Sequence, residues 1–168
     1  MRPSPFLKIK QREPSGRHQR ERVSDIIATA TRNRIRMGVH PKEVRNQLAG
    51  FAFGRLCLQK IITQEQYEAG CNFGRIVVTY ARIMGVPSAN PRSISMIMIG
   101  GIDHSEPLTD PERIAKARRS YEDMFSALND ASDGKRYLNA LKECILQDQS
   151  TDIGDLRCGL NVLCHLWR

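Results

Sequence analysis

The chain has 168 residues, of which 40% are hydrophobic, 26% charged and only 6% aromatic. This length fits one domain with a buried core and excludes a disulfide-stapled miniprotein. No stretch approaches the roughly 18 uncharged apolar residues of a membrane helix, and no apolar run typical of a secretory signal follows residues 1–5. We therefore expect a cytoplasmic protein without a membrane partner.

The positive charge is concentrated at one end of the chain. Residues 1–46 hold 12 Lys and Arg against four Asp and Glu, whereas residues 47–168 hold 14 of each. A separate cationic region contributes nothing to a core but can bind a polyanion through counterion release. Nucleic acid is the expected partner, DNA rather than RNA. A solubilising tail, an acidic protein and an anionic lipid surface are the alternatives.

The expected nucleic-acid contacts are cations that no neighbouring run of acids neutralises. Three arginines spaced two residues apart near the end of the first predicted helix are expected to follow a phosphate backbone from one broad helical side. The predicted binding residues are Arg17, Arg20, Arg22, Arg32, Arg34, Arg36, Lys42 and Arg45.

The pattern along the chain predicts an all-α fold of five to six helices. Residues 1–22 are poor in apolar groups, so we expect a disordered basic arm before a single helical domain over 23–168. Ser24 is a suitable N-cap for a helix that ends at Gly38, and Pro41 suits the first turn of a second helix running to about Lys60. A capping box of Thr63 and Gln66 begins a third helix, which runs to Met84.

The second and third predicted helices share a repeat. The segment AGFAFGRL at 49–56 returns as AGCNFGRI at 69–76. Glycine in a helix interior costs roughly 1 kcal/mol, which close backbone approach between helices could offset. We therefore predict a glycine-mediated antiparallel hairpin over about 42–84, with Gly50 opposite Gly74 and Gly54 opposite Gly70. The alternative is that these glycines only leave room for phenylalanine side chains.

The second half of the chain predicts a loop and three helices. Residues 86–109 are expected to be irregular. Thr109 and Glu112 form a capping-box pattern for a helix reaching Leu128, and a further helix ends near Asp148. The helices within 135–168, the last one capped by Asp152, have the outline of a helix-turn-helix, although the last carries few cations and suits core packing or a dimer contact better.

The five cysteines indicate free thiols in a reducing compartment. Their number is odd, no Cys-x-x-Cys pair occurs and no metal-ligand spacing is present, so we expect no metal and no cofactor. We expect a protein that is not an enzyme. The competing enzymatic interpretation would use His104, Asp103 or a cysteine.

From about Gln47 onward the chain resembles a set of uncharacterised bacterial and prophage proteins. The matching segments are FGRL at 53–56, ITQEQYEAG at 62–70 and LRCGLNVLCH at 156–165. Such proteins show the patterns L-[ST]-x-x-Q-[YF]-x-A-G and L-R-x-G-L-x-x-L-x-x-H, from which this chain departs by Ile62 at the first position and by His165 one position early. Related helical domains occur in DNA-binding regulators of phage-like elements. Cys158 and Cys164 depart from the small or polar residues expected in the tail. The resemblance implies a transcriptional role and no catalytic residues.

Together these observations favour a regulatory protein that binds nucleic acid through its basic N-terminal region, as a homodimer. The alternative is a phage assembly or DNA-packaging protein, similar to a small terminase, in which the helices build an oligomer.

Overall fold

A computed structural model of the chain describes residues 23–85 and 110–168. Within these two ranges the protein is helical and has no strand, which confirms the all-α class. The predicted arm at 1–22 and the loop at 86–109, including Asp103 and His104, lie outside the described residues.

Six α-helices are interspersed with shorter helical turns. Two 3₁₀ turns, Pro41–Glu43 and Gln47–Gly50, lie between α1 and α2, and a π-helical turn, Lys142–Leu146, continues α5. The α-helices are α1 Val23–Arg36, α2 Ala52–Leu58, α3 Gln64–Ile83, α4 Pro111–Asn129, α5 Gly134–Leu141 and α6 Ile153–Leu166.

The prediction of one continuous helix from Pro41 to Lys60 is wrong. The Asn46 side chain accepts a hydrogen bond from the Leu48 N–H at 3.0 Å and starts a new turn, and Phe51 adopts an extended conformation (φ −138°, ψ 157°). Phe51 and Phe53 are both buried. Residues two apart in an α-helix lie about 200° apart, so a continuous helix could not bury both in one core. The extended Phe51 resolves this conflict.

The glycine hairpin is also wrong in its register. Gly50 lies exposed in a 3₁₀ turn. A side chain at Gly54 would overlap the Leu48 carbonyl, whereas one at Gly70 would overlap the Phe53 ring. Gly54 therefore makes room for the preceding turn and Gly70 for the Phe53 ring, so the alternative that the glycines leave room for phenylalanine side chains holds at Gly70 but not at Gly54.

The predicted start of α3 is confirmed. The Thr63 hydroxyl accepts from the Gln66 N–H at 3.2 Å, and Gln66 Oε1 accepts from the Thr63 N–H at 2.9 Å. Gln66 is buried and donates through Nε2 to Asn161 Oδ1 at 2.7 Å. The capping box thus also ties α3 to α6, and the helix ends at Ile83 before Gly85, whose φ is +66°.

The remaining helices form the core around α6. Asp110, rather than Thr109, is the N-cap of α4, where its side chain accepts from the Glu112 N–H at 3.0 Å. Asp152 caps α6 as predicted. The largest side chains with less than 2% exposure are Phe53, Phe73, Met124, Leu128, Leu141, Ile145, Leu156, Leu160 and Leu163.

The packing of α6 fits the core role expected for the last helix, and the helix-turn-helix within 135–168 stays a prediction. Residues 147–152 connect the π-helical turn to α6, and Leu156, Leu160 and Leu163 bury one face of α6 against the other helices. Ile153, the first residue of α6, is 42% exposed. This arrangement makes α6 a central core element.

Candidate nucleic-acid interface

The candidate surface is built by the end of α1 and the residues that follow it. Gly38, with φ +83°, turns the chain after α1, because the left-handed region is open to glycine at little steric cost. The N–H groups of Gly38 and Val39 donate to the carbonyls of Ile35 and Arg34 at 2.9 and 3.1 Å. The chain then continues through the turn Pro41–Glu43 to Val44, whose carbonyl oxygen meets Arg34 of α1.

Arg34 holds this turn in place. Its guanidinium Nη1 donates to the Val44 carbonyl oxygen at 2.6 Å, and the residue is half-buried. A hydrogen bond from a charged donor is among the stronger kinds in proteins. This contact attaches the segment that carries Lys42 and Arg45 to α1.

The expectation that Arg32, Arg34 and Arg36 share one side is therefore wrong. Residues four apart lie on the same helix face, whereas the residue midway between them lies on the opposite side. Arg32 and Arg36 are exposed, while Arg34 faces the protein. The Arg32 side chain makes only long hydrogen bonds, both 3.4 Å, to the Ala28 carbonyl and the Thr29 hydroxyl.

Four of the predicted cations form the exposed part of this surface: Arg32, Arg36, Lys42 and Arg45. None of the four forms an ion pair with any residue of 23–85 or 110–168. The nearby acid Glu43 accepts a hydrogen bond from Asn46 Nδ2 at 3.4 Å. The other predicted residues, Arg17, Arg20 and Arg22, lie outside the described part of the chain.

A small hydrophobic cluster fixes the surface to the rest of the protein. Val39, Val44 and Ala49 are buried together, with Leu58 of α2 packed against them. Gln59 Nε2 donates to the Met37 carbonyl at 3.1 Å. The exposed cations therefore stand on a packed support, which reduces the entropy lost when a partner orders them.

Comparison with known proteins found no relative of this chain. Neither protein-family models, nor curated proteins, nor solved structures match the chain.

The described residues also give evidence on thiol reactivity, metal binding and membrane-spanning helices. Burial raises the pKa of Cys57, Cys71 and Cys164, and raises that of Cys144 to about 12. A raised pKa disfavours the nucleophilic thiolate. No group of three or more potential metal ligands occurs within 23–85 and 110–168, and none of the helices there is long and apolar enough to cross a membrane.

Sequence reasoning missed a second group of cations. Arg75 of α3 and Arg113 and Lys116 of α4 line one groove, although the region 47–168 has balanced charge overall. The sequence offered one signal, the positions of Arg113, Lys116 and Ala117 on one face of a predicted helix. Their proximity to Arg75 depends on how α3 and α4 pack.

Proposed function

We propose that this protein binds nucleic acid, DNA rather than RNA, through the exposed cations at the end of α1 and in the following turns together with the basic segment before α1. The main support for this proposal is the exposure of four cations that form no ion pair among the described residues: Arg32, Arg36, Lys42 and Arg45. Such cations attract phosphates, and each phosphate neutralised releases counterions.

The biological role that fits this binding is regulatory and non-enzymatic. The resemblance to bacterial and prophage proteins supports transcriptional regulation in a phage-like context. Phosphate contacts position a protein on a duplex but carry no sequence information. Recognition of a site would therefore need additional base contacts.

The test is a salt titration of binding to one 20-base-pair DNA duplex, to its single strands and to the RNA of the same sequence. If five to eight phosphates are engaged on the duplex, log affinity should fall with log salt with a slope of roughly −4 to −7. The double variants R32Q/R36Q and K42Q/R45Q should each flatten the slope by about two.

The matched control is R118Q/R119Q, which removes two exposed cations from α4 and should leave the slope unchanged. Equal flattening by the control, or no salt-dependent binding to any of the three nucleic acids, contradicts the proposal.

A second function, assembly or packaging of phage DNA by an oligomer, is favoured by a different feature. Ile26 and Ile27 on α1 are 51% and 58% exposed, which is unusual for adjacent isoleucines and suits a contact with another copy. Light scattering distinguishes the proposals: a dimer fits the regulator, whereas a larger ring fits assembly. I26Q/I27Q should dissociate either oligomer without unfolding the protein, and a monomeric native chain argues against both forms of self-association.

A further inference from the structure

A groove between α3 and α4 combines an apolar floor with a cationic rim. Its α3 side is formed by Arg75, Ile76 and Thr79, and its α4 side by Arg113, Lys116 and Ala117. The groove is open to solvent and has a volume of about 270 Å³. This volume suits a single leucine-sized side chain with part of its flanking backbone.

Among the described residues, the lining of the groove contains three cations and no acid. Arg75 Nη1 donates to Asn72 Oδ1 at 2.7 Å, which holds the guanidinium along α3. Arg113 Nε lies 3.5 Å from an Asp110 carboxylate oxygen, but both side chains are at least half exposed, so this pair is weak. Three like charges around one hollow repel each other unless an anion joins them. The electrostatics of the rim therefore favour an anionic occupant.

The floor favours an apolar group in the same occupant. Ile76 and Ala117 lie between the two helices, and the methylene stems of Arg75 and Lys116 extend the apolar surface beneath their charges. A phosphate backbone would satisfy the rim and leave this floor uncovered. Within 23–85 and 110–168, no aromatic ring on which a base could stack lines the groove.

Stacked aromatic rings hold the two sides of the groove together. Tyr80 follows Thr79, and Tyr121 follows Ser120, which also lines the groove. Their rings stack with centroids 3.9 Å apart and an angle of 6° between them. Phe125 extends this contact with its centroid 6.0 Å from that of Tyr121. The stack joins α3 to α4, so binding does not have to separate the helices.

We propose that this groove binds an acidic peptide segment of a partner protein, with one apolar side chain on the floor and flanking carboxylates paired with Arg75, Arg113 and Lys116. The binding is distinct from the nucleic-acid contact at the end of α1 and does not depend on it.

The probe is a fluorescein-labelled 12-residue peptide with one leucine between pairs of glutamate and aspartate, measured by anisotropy with the full chain at 150 mM NaCl. A peptide with serine in place of the leucine is the control for the floor. We expect the serine peptide to bind at least tenfold more weakly. R113Q/K116Q should weaken binding of the leucine peptide at least tenfold, and R118Q/R119Q less than twofold.

A second variant tests the floor without changing the charge. Ala117→Trp should fill the groove and weaken binding of the leucine peptide, with the melting temperature measured to show that the protein remains folded. Equal binding of the leucine and serine peptides, or equal loss in the two double variants, would show general charge attraction and overturn the proposal. Absence of peptide binding would overturn it as well.

The same variants separate this proposal from the nucleic-acid proposal. R32Q/R36Q should weaken binding to the 20-base-pair DNA duplex and leave peptide binding unchanged. If R113Q/K116Q weakens DNA binding and leaves peptide binding intact, the groove belongs to the nucleic-acid surface and the peptide proposal is wrong.

Discussion

Arg34 has the same side chain as Arg32 and Arg36 but a different environment. Its guanidinium bonds to the Val44 carbonyl inside the fold, whereas its two neighbours extend into solvent. A buried carbonyl that loses its donor retains the cost of its desolvation. We therefore expect Arg34 to contribute to stability, whereas Arg32 and Arg36 are free to take part in the proposed nucleic-acid binding.

Arg34→Gln should lower the free energy of unfolding by about 1 to 2 kcal/mol, because the Val44 carbonyl loses a charged donor. R32Q/R36Q should change it by less than about 0.5 kcal/mol, as is usual for exposed side chains. Urea denaturation measures both. Equal stability of Arg34→Gln and the native protein would show that the Val44 contact contributes nothing.

Cys144 should make stability depend on alkaline pH. Burial raises its pKa in the folded protein to about 12, from an ordinary value of 9.0. The unfolded chain thus loses this proton first as the pH rises. The contribution is complete below about pH 9 and disappears between pH 9 and 12. Cys144→Ala should reduce the fall in unfolding free energy over this window, and an unchanged pH profile would contradict the assignment.

At the scale of secondary-structure elements, the turns before α2 depend on the absence of a side chain at one position. A Cβ at Gly54 would overlap the Leu48 carbonyl oxygen, which belongs to the backbone of the preceding 3₁₀ turn and cannot move aside by a rotamer change. At Gly154 in the first turn of α6, the nearest atom to such a Cβ is the Asp152 side-chain oxygen at 3.1 Å.

Gly54→Ala should consequently destabilise the protein by about 1 to 3 kcal/mol through overpacking. Gly154→Ala, at an exposed helical position, should change stability by less than about 1 kcal/mol. Thermal and urea unfolding compare the two. A Gly54→Ala protein as stable as the native chain would show that the turn Gln47–Gly50 is free to shift.

The contribution of the buried face of α6 to stability can be tested with two leucines of this helix. Leu160 has no exposed surface, whereas Leu166 near the end of the same helix is 37% exposed. Leu160→Ala should cost about 2 to 5 kcal/mol because it leaves a cavity in the core. Leu166→Ala should cost less than about 1 kcal/mol. If the two variants have the same melting temperature, the Leu160 face of α6 is not part of the core.

At the scale of the whole molecule, charge and core occupy different regions of the chain. The main core draws on α2 to α6, while residues 1–22 carry seven Lys and Arg against two Glu. Net charge concentrated away from the core can steer a polyanion without altering the packing. We therefore expect binding and folding to be separable.

Deletion of residues 1–22 should weaken DNA binding and flatten its salt dependence, because counterion release falls with the number of phosphate contacts. The melting temperature should change by less than about 4 °C, the shift that roughly 1 kcal/mol produces in a domain near this size. Calorimetry and the salt titration on the same preparation provide the comparison. A larger fall in melting temperature would mean that the segment contributes to the fold.

The sequence by itself determined the features that arise from neighbouring residues. The Thr63–Gln66 capping box, the Asp152 cap and the apolar spacing of α4 involve atoms within one or two helical turns, so their patterns predict structure directly. The helical class and the uneven distribution of charge along the chain follow in the same way. These local signals also placed the expected nucleic-acid contacts in residues 17–45.

Only the tertiary structure decided the features that depend on residues far apart in the chain. The break at Phe51 follows from burying Phe51 and Phe53 in one core, and the role of Arg34 follows from the position of Val44. The groove cations Arg75 and Arg113 are 38 positions apart and meet because α3 packs on α4. Burial and charge proximity are properties of packed helices, and helical periodicity does not specify which faces meet.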